Sequence, residues 1–188
     1  NMSAARRNAI LTELFDTDEN NIGISYLRLS IGASDLDAEV FSYNDLPAGQ
    51  TDVEMNNFSL APDRKWLIPV LKEILAINPS IKILGSPWSP PVWMKTNGSS
   101  MGGNLKTEYY GAYAKYFVKY VQEMAKEGIV IDAITVQNEP LHAGNNPSLY
   151  MSPEEQLAFV KTALGPAFEA AAVKTKIIVY QKVQSGYL

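Results

Sequence analysis

Apolar residues along this chain alternate between a helical and a strand-like rhythm. Over 3–15, Ala5, Ile10, Leu11, Leu14 and Phe15 fall near helical spacing and Ser3 stands where an N-cap belongs, which predicts a helix. The run 24–31, with Tyr26, Leu27 and Leu29, reads as a strand ending at Gly32. A polar stretch over 33–59 holds the turn formers Asn44-Asp45 and Pro47-Ala48-Gly49, and Pro62 then opens a helix running to about Ile77. Pro69 inside that helix removes a backbone donor, which predicts a kink or a split.

The second half repeats the rhythm. A strand is expected over 81–85, stopped by the prolines of Ser86-Pro87-Trp88-Ser89-Pro90-Pro91. The clearest element is a helix over 107–126, whose apolar stripe is Tyr109, Tyr113, Tyr116, Phe117, Tyr120, Val121 and Met124 and whose stop is Gly128. Strand 131–136 follows. Ser152-Pro153-Glu154-Glu155 then forms a capping box for a helix that buries Leu157, Phe159, Val160, Leu164 and Phe168, and a strand over 176–180 completes the series. Helix and strand alternating four times predicts an α/β fold with a parallel sheet and right-handed crossovers, as a barrel or an open doubly wound sheet.

The placement of polar chemistry favours the barrel. Ser34-Asp35 follows the first strand, Trp88 the second, and Gln137-Asn138-Glu139-Pro140 the third, and barrel enzymes gather their sites at that end of the sheet. A nucleotide-binding sheet would carry a glycine-rich turn after its first strand, but 30–34 has no such pattern and no phosphate-binding loop occurs. Charge agrees: the formal net charge of -4, with both signs interspersed, gives no basic face for nucleic acid. No apolar run approaches the roughly 20 residues of a membrane span. Without cysteine there is no thiolate nucleophile or thiolate metal site, and the lone His142 cannot anchor a histidine cluster, so no metal is expected.

Each candidate has an ordinary structural role to weigh against a chemical one. Glu139 stands at the end of an apolar strand, between an amide and a proline. A loop carboxylate is usually only solvated, but at a barrel mouth partial desolvation favours the protonated acid that could donate to a glycosidic oxygen. Asn138 is either a turn residue or an amide that hydrogen-bonds a sugar 2-OH, a contact that strengthens in an oxocarbenium-like transition state. Trp88 either covers the barrel end or forms a wall for an apolar sugar face, and Trp93 fits the covering role better. Asp35 either braces its loop or accepts bonds from sugar hydroxyls. Asn57-Phe58-Ser59 and Asn97-Gly98-Ser99 fit the glycosylation pattern, which is short and frequent.

Three segments carry a resemblance to a known family: residues 28–35 (Arg-Leu-Ser-Ile-Gly-Ala-Ser-Asp), 86–98 (Ser-Pro-Trp-Ser-Pro-Pro-Val-Trp-Met-Lys-Thr-Asn-Gly) and 135–140 (Thr-Val-Gln-Asn-Glu-Pro). Through them residues 24–181 resemble the catalytic barrel of glycoside hydrolase family 30, the family of lysosomal glucosylceramidase and bacterial endo-β-1,6-glucanases. The resemblance implies a retaining β-glycosidase acting on β-glucosides or β-glucans, with Glu139 as acid/base and no cofactor. It further implies that Asn138 holds the sugar 2-OH, that Asp35 and Trp88 line the sugar pocket, and that the protein is exported, to the exterior or the periplasm.

The same resemblance sets expectations about extent. The four strands correspond to the second to fifth of a (β/α)8 barrel, so residues 1–188 are expected to be a fragment of one catalytic barrel domain. The nucleophilic glutamate of the seventh strand would then be missing, and the chain alone inactive. The tail 181–188 departs from the family pattern. Four strands would also leave two unpaired edges and an apolar inner face, which predicts self-association. A carbohydrate-binding relative without catalysis and a half-barrel assembly module are the alternatives.

Overall fold

Four short parallel strands hydrogen-bond side by side in chain order: β1 (Tyr26–Ile31), β2 (Lys82–Pro87), β3 (Ala133–Thr135) and β4 (Lys176–Ile178). The computed structural model describes residues 2–179, so the tail 181–188 lies outside the described residues. Each crossover adds its strand on the same side as the last, with pairs such as Ser30↔Ser86, Leu84↔Ala133 and Ile134↔Ile177. A doubly wound sheet must reverse that direction once, whereas uninterrupted succession is the curl of a (β/α) barrel. The sheet is therefore a partial barrel, with its outer helical layer on one face only.

That layer comprises α1 (Ala4–Phe15), α2 (Ala61–Lys65), α3 (Leu67–Ile77), α4 (Tyr110–Lys126), α5 (Pro153–Phe159) and α6 (Gly165–Ala170). In α4 the expected stripe is the core itself: Tyr113, Tyr116, Phe117, Tyr120 and Met124 are all fully buried. Phe117 and Met124 each supply roughly 1.5–3 kcal/mol by leaving water. The helix ends in a Schellman motif, with Gly128 at φ 82° and its N–H on Ala125 O, while Ile129 N–H reaches Met124 O. Gly85 on β2 makes room for this helix, because a Cβ there would lie 3.0 Å from Ile31 Cδ1 and 3.2 Å from Tyr120 Cε1.

Several boundaries differ from the sequence expectation for physical reasons. The helix over 61–77 splits at Trp66, so Pro69 falls in the first turn of α3, where its missing N–H has no intrahelical acceptor to lose. β2 continues to Pro87, whose carbonyl still accepts from Asn138 N–H, so proline ends the strand only by lacking a donor. After Ser152, which caps α5 with the full capping box, a five-residue wide turn (Val160–Leu164) precedes α6. Pro166 has no N–H to continue the regular ladder there, and Gly165 N–H bonds back to Val160 O.

The inner face of the sheet is not the apolar surface that was expected. Toward the C-terminal ends it carries Arg28, Ser86 and Thr135, with Ser86 Oγ 2.6 Å from Thr135 Oγ1 and bonded by Arg28 Nη2 at 2.9 Å. Such a face is wetted more readily than a hydrocarbon one. The outer edges of β1 and β4 carry no partner strand among the described residues. No helix there is long and apolar enough to cross a membrane.

Candidate active site

The C-terminal ends of β1, β2 and β3 lie side by side, and the residues that follow them meet. After β1, Gly32 turns the chain at φ 77°, where a Cβ would press to 3.0 Å from Phe41 O. This delivers Asp35, whose Oδ1 accepts a 3.0 Å bond from the Trp88 indole N–H after β2. The Arg28 guanidinium lies 4.9 Å from the Trp88 ring centroid and donates from Nη2 to Asn138 Oδ1 at 2.6 Å. Asp35, Trp88 and Asn138 are thus one connected cluster, joined by Arg28.

The Arg28 contact settles the Asn138 amide. A guanidinium only donates, so the atom facing it must be the carbonyl oxygen, and the Nδ2 donor is left for another partner. The opposite side of the pair is set by Gln137, which is buried and donates from Nε2 to Trp88 O at 2.7 Å and to Asn138 O at 2.9 Å. Its Oε1 has no partner among the described residues.

Glu139 stands at φ 41°, in the left-handed region that a residue with a Cβ enters at a cost of about 1–2 kcal/mol. The turn is held in that form by Asn138 N–H on Pro87 O, His142 N–H on Glu139 O and Met151 N–H on Pro140 O. The carboxylate is exposed, not partly desolvated as expected, and Oε2 accepts from Asn145 Nδ2 at 2.8 Å. His142 contributes its backbone N–H to this turn, and the described residues contain no group of three or more metal-ligating side chains.

Lys95 has a structural importance that its sequence context did not reveal. Its side chain is 1% exposed, and Nζ donates to Ser89 Oγ (2.9 Å), Ser100 O (2.8 Å) and Ser148 O (2.6 Å). Burial pulls this ammonium down to about 7. Its three acceptors fasten the loop after β2 to the loop after β3, which carries Glu139 and Asn145. The Trp93 indole N–H is shared between Asn44 O and Asn44 Oδ1, which ties the loop after β2 to the loop after β1. Arg28 and Gln137 were legible only as parts of strand motifs, because nothing in a sequence says which polar strand residues face the barrel mouth. Lys95 gave no signal beyond lying in a proline-rich loop.

A parallel barrel segment with a carboxylate, an amide and an indole gathered at the strand C-termini is the layout of a barrel glycosidase. The chain belongs to glycoside hydrolase family 30: residues 1–185 match its Glycosyl hydrolase family 30 TIM-barrel domain. It is 39% identical over 185 residues to an endo-1,6-beta-D-glucanase of Neurospora crassa, covering 95% of this chain and 38% of that protein. To the lysosomal acid glucosylceramidase of Mus musculus it is 32% identical over 189 residues, covering 95% of this chain and 36% of that protein. Among solved structures, an endo-β1,6-glucanase superposes with a TM-score of 0.88 at 46% identity, covering 95% of this chain and 40% of its own. The chain thus spans about 40% of the length of the relatives it matches.

Proposed function

We propose that the protein is a retaining β-glycoside hydrolase acting on β-1,6-linked glucan, with Glu139 as acid/base. The observation that carries this reading is the Arg28-linked cluster of Asp35, Trp88 and Asn138 beside the Glu139 turn. Asp35 Oδ2, not used by Trp88, accepts from a sugar hydroxyl, while Asn138 Nδ2 donates to the 2-OH oxygen. Trp88 bounds the pocket for the apolar sugar face. The glucan preference rests on the glucanases' greater identity to this chain than the glucosylceramidase's.

The chemistry is double displacement. A nucleophilic carboxylate attacks C1 as the C1–O bond to the leaving group breaks, and protonated Glu139 gives its proton to that oxygen. Glu139, now ionised, takes a proton from water, whose oxygen attacks C1 and releases the carboxylate with net retention. We assign the nucleophile to a residue outside 2–179, about 5 Å from Glu139 in the assembled site. The 188 residues alone then bind glycosides without turning them over.

The test is a paired comparison in a version extended to the length of the relatives. Glu139→Gln should abolish cleavage of β-1,6-glucan, whose leaving group needs a proton. Glycosylation by an aryl β-glucoside with an acidic phenol should survive. Unchanged glucan cleavage in the variant would remove Glu139 from the role.

A further inference from the structure

The loop after β3 doubles back so that Asn145 meets the carboxylate of Glu139, six residues before it in the chain. Asn145 Nδ2 donates to Glu139 Oε2 at 2.8 Å, and Oε1 accepts no bond among the described residues. The two oxygens of one carboxyl group are thereby made different.

The donor stands on a fixed support. Asn145 is half-buried, and the segment around it is tied to 100–103 in the loop after β2. Ser100 Oγ–H donates to Asn146 Oδ1 at 2.7 Å, Ser148 N–H to Ser100 O at 3.0 Å and Gly102 N–H to Ser148 Oγ at 2.9 Å. Ser148 Oγ–H reaches Ala143 O at 3.1 Å and braces the segment from within. The acceptor begins at the strained Glu139 backbone, which the turn already holds. Between these two anchors an exposed glutamate side chain, otherwise free to rotate, has its carboxylate fixed before a substrate arrives.

The bond also has a direction in the chemistry. A protonated carboxyl group carries one O–H and keeps one oxygen as acceptor, so an N–H facing Oε2 leaves Oε1 as the oxygen that holds the proton. As the C1–O bond breaks, Oε1–H gives its proton to the leaving oxygen, and negative charge spreads over both carboxylate oxygens. The Asn145 bond then becomes charge-assisted, roughly twice as strong as its neutral form. It therefore stabilises the proton-donating transition state more than the bound substrate. In the second step Oε1 takes the proton from water while Oε2 stays held.

We propose that Asn145 is a positioning residue for Glu139, which holds Oε2 and so presents Oε1 to the glycosidic oxygen. The proposal rests on the acid/base reading of Glu139.

The test uses the enzyme extended to the length of its relatives. Asn145→Ala removes the donor, and Asn145→Asp keeps the size of the side chain without an N–H. Both should lower kcat on β-1,6-glucan by about tenfold to a hundredfold. Inhibition by the β-1,6-linked disaccharide, which reports its affinity, should stay within about twofold. So should the burst of phenol from an aryl β-glucoside with an acidic phenol, which departs without a proton. Amide exchange at Gly102 and Tyr150 should be unchanged, because neither N–H bonds to Asn145. Parental glucan kcat in both variants would overturn the positioning role. A burst slowed as much as glucan cleavage would overturn it too, making Asn145 an ordinary support of its loop. Glu139→Gln measured beside them separates the two claims. If it loses glucan cleavage while the Asn145 variants keep it, the acid/base reading stands and the positioning role falls; if it cleaves glucan at the parental rate, both fall together.

Discussion

Arg28 Nη2 donates to Asn138 Oδ1 at 2.6 Å, joining the middle of β1 to the residue pair that follows β3. One guanidinium thereby orients the amide, bonds Ser86 and lies over the Trp88 ring. Removing it in Arg28→Met frees the amide to rotate and costs a charge-assisted bond. Affinity for a β-glucoside, measured by titration calorimetry, should fall about tenfold or more. Arg28→Lys should recover only part of this, because an ammonium has no planar face to lie on the indole while its N–H groups reach Ser86 and Asn138. Full recovery by lysine would mean that charge alone matters.

Three tyrosines of α4 look equivalent in the sequence and are not. The Tyr113 and Tyr120 hydroxyls are buried with no partner among the described residues, whereas the Tyr116 hydroxyl oxygen accepts the Tyr43 N–H at 3.2 Å. Tyr113→Phe and Tyr120→Phe should leave stability unchanged or raise it by about 1 kcal/mol. Tyr116→Phe strands a buried backbone donor and should lower stability by about 1–3 kcal/mol. Urea unfolding of the three variants reads the difference. A uniform loss would show that the first two hydroxyls are solvated or bonded after all.

Asp63 should make stability depend on pH. It is buried at 7% exposure, and that burial raises it to about 6, against the opposing bond from the Tyr43 hydroxyl and with a smaller contribution from Asp37. Because the folded state holds this proton more tightly than the unfolded one, the stabilisation is complete below about pH 4 and is lost as pH rises through about 6. The protein should lose on the order of 2–3 kcal/mol across that interval relative to Asp63→Asn, which cannot ionise. A constant difference between the two proteins from pH 4 to pH 7 would show that Asp63 titrates normally.

The fold was legible where one physical requirement dominates. The α4 stripe, the Gly128 stop and the Ser152 capping box each express a single local need, and the structure places all three as read. Boundaries set by competing needs were less legible. Pro69 marked a split but not its position, because proline is tolerated in a first turn, and Pro166 altered its helix through the wide turn before it. At the candidate site, Asp35, Trp88 and Asn138 could be singled out as candidates because each lies within four residues of the end of a strand. Arg28, Gln137 and Lys95 join those segments across 49 to 110 residues of chain, and no local pattern encodes such a contact.

Lys95 is where that unseen connectivity is most concentrated. Lys95→Met keeps the length of the side chain but leaves Ser89 Oγ, Ser100 O and Ser148 O without their donor. Stability should fall by about 2–4 kcal/mol, since buried acceptors lose charge-assisted bonds. The loss should also be local. Amide exchange should quicken at Gly102 and Tyr150, whose N–H groups bond across the same two loops, while the N–H of Tyr120 in α4 keeps its protection. Because the loop after β3 carries Glu139, the extended enzyme should lose turnover with this variant more than it loses disaccharide affinity. Equal acceleration of exchange in the loops and in α4 would instead make Lys95 a general contributor to folding, with no particular hold on the Glu139 turn.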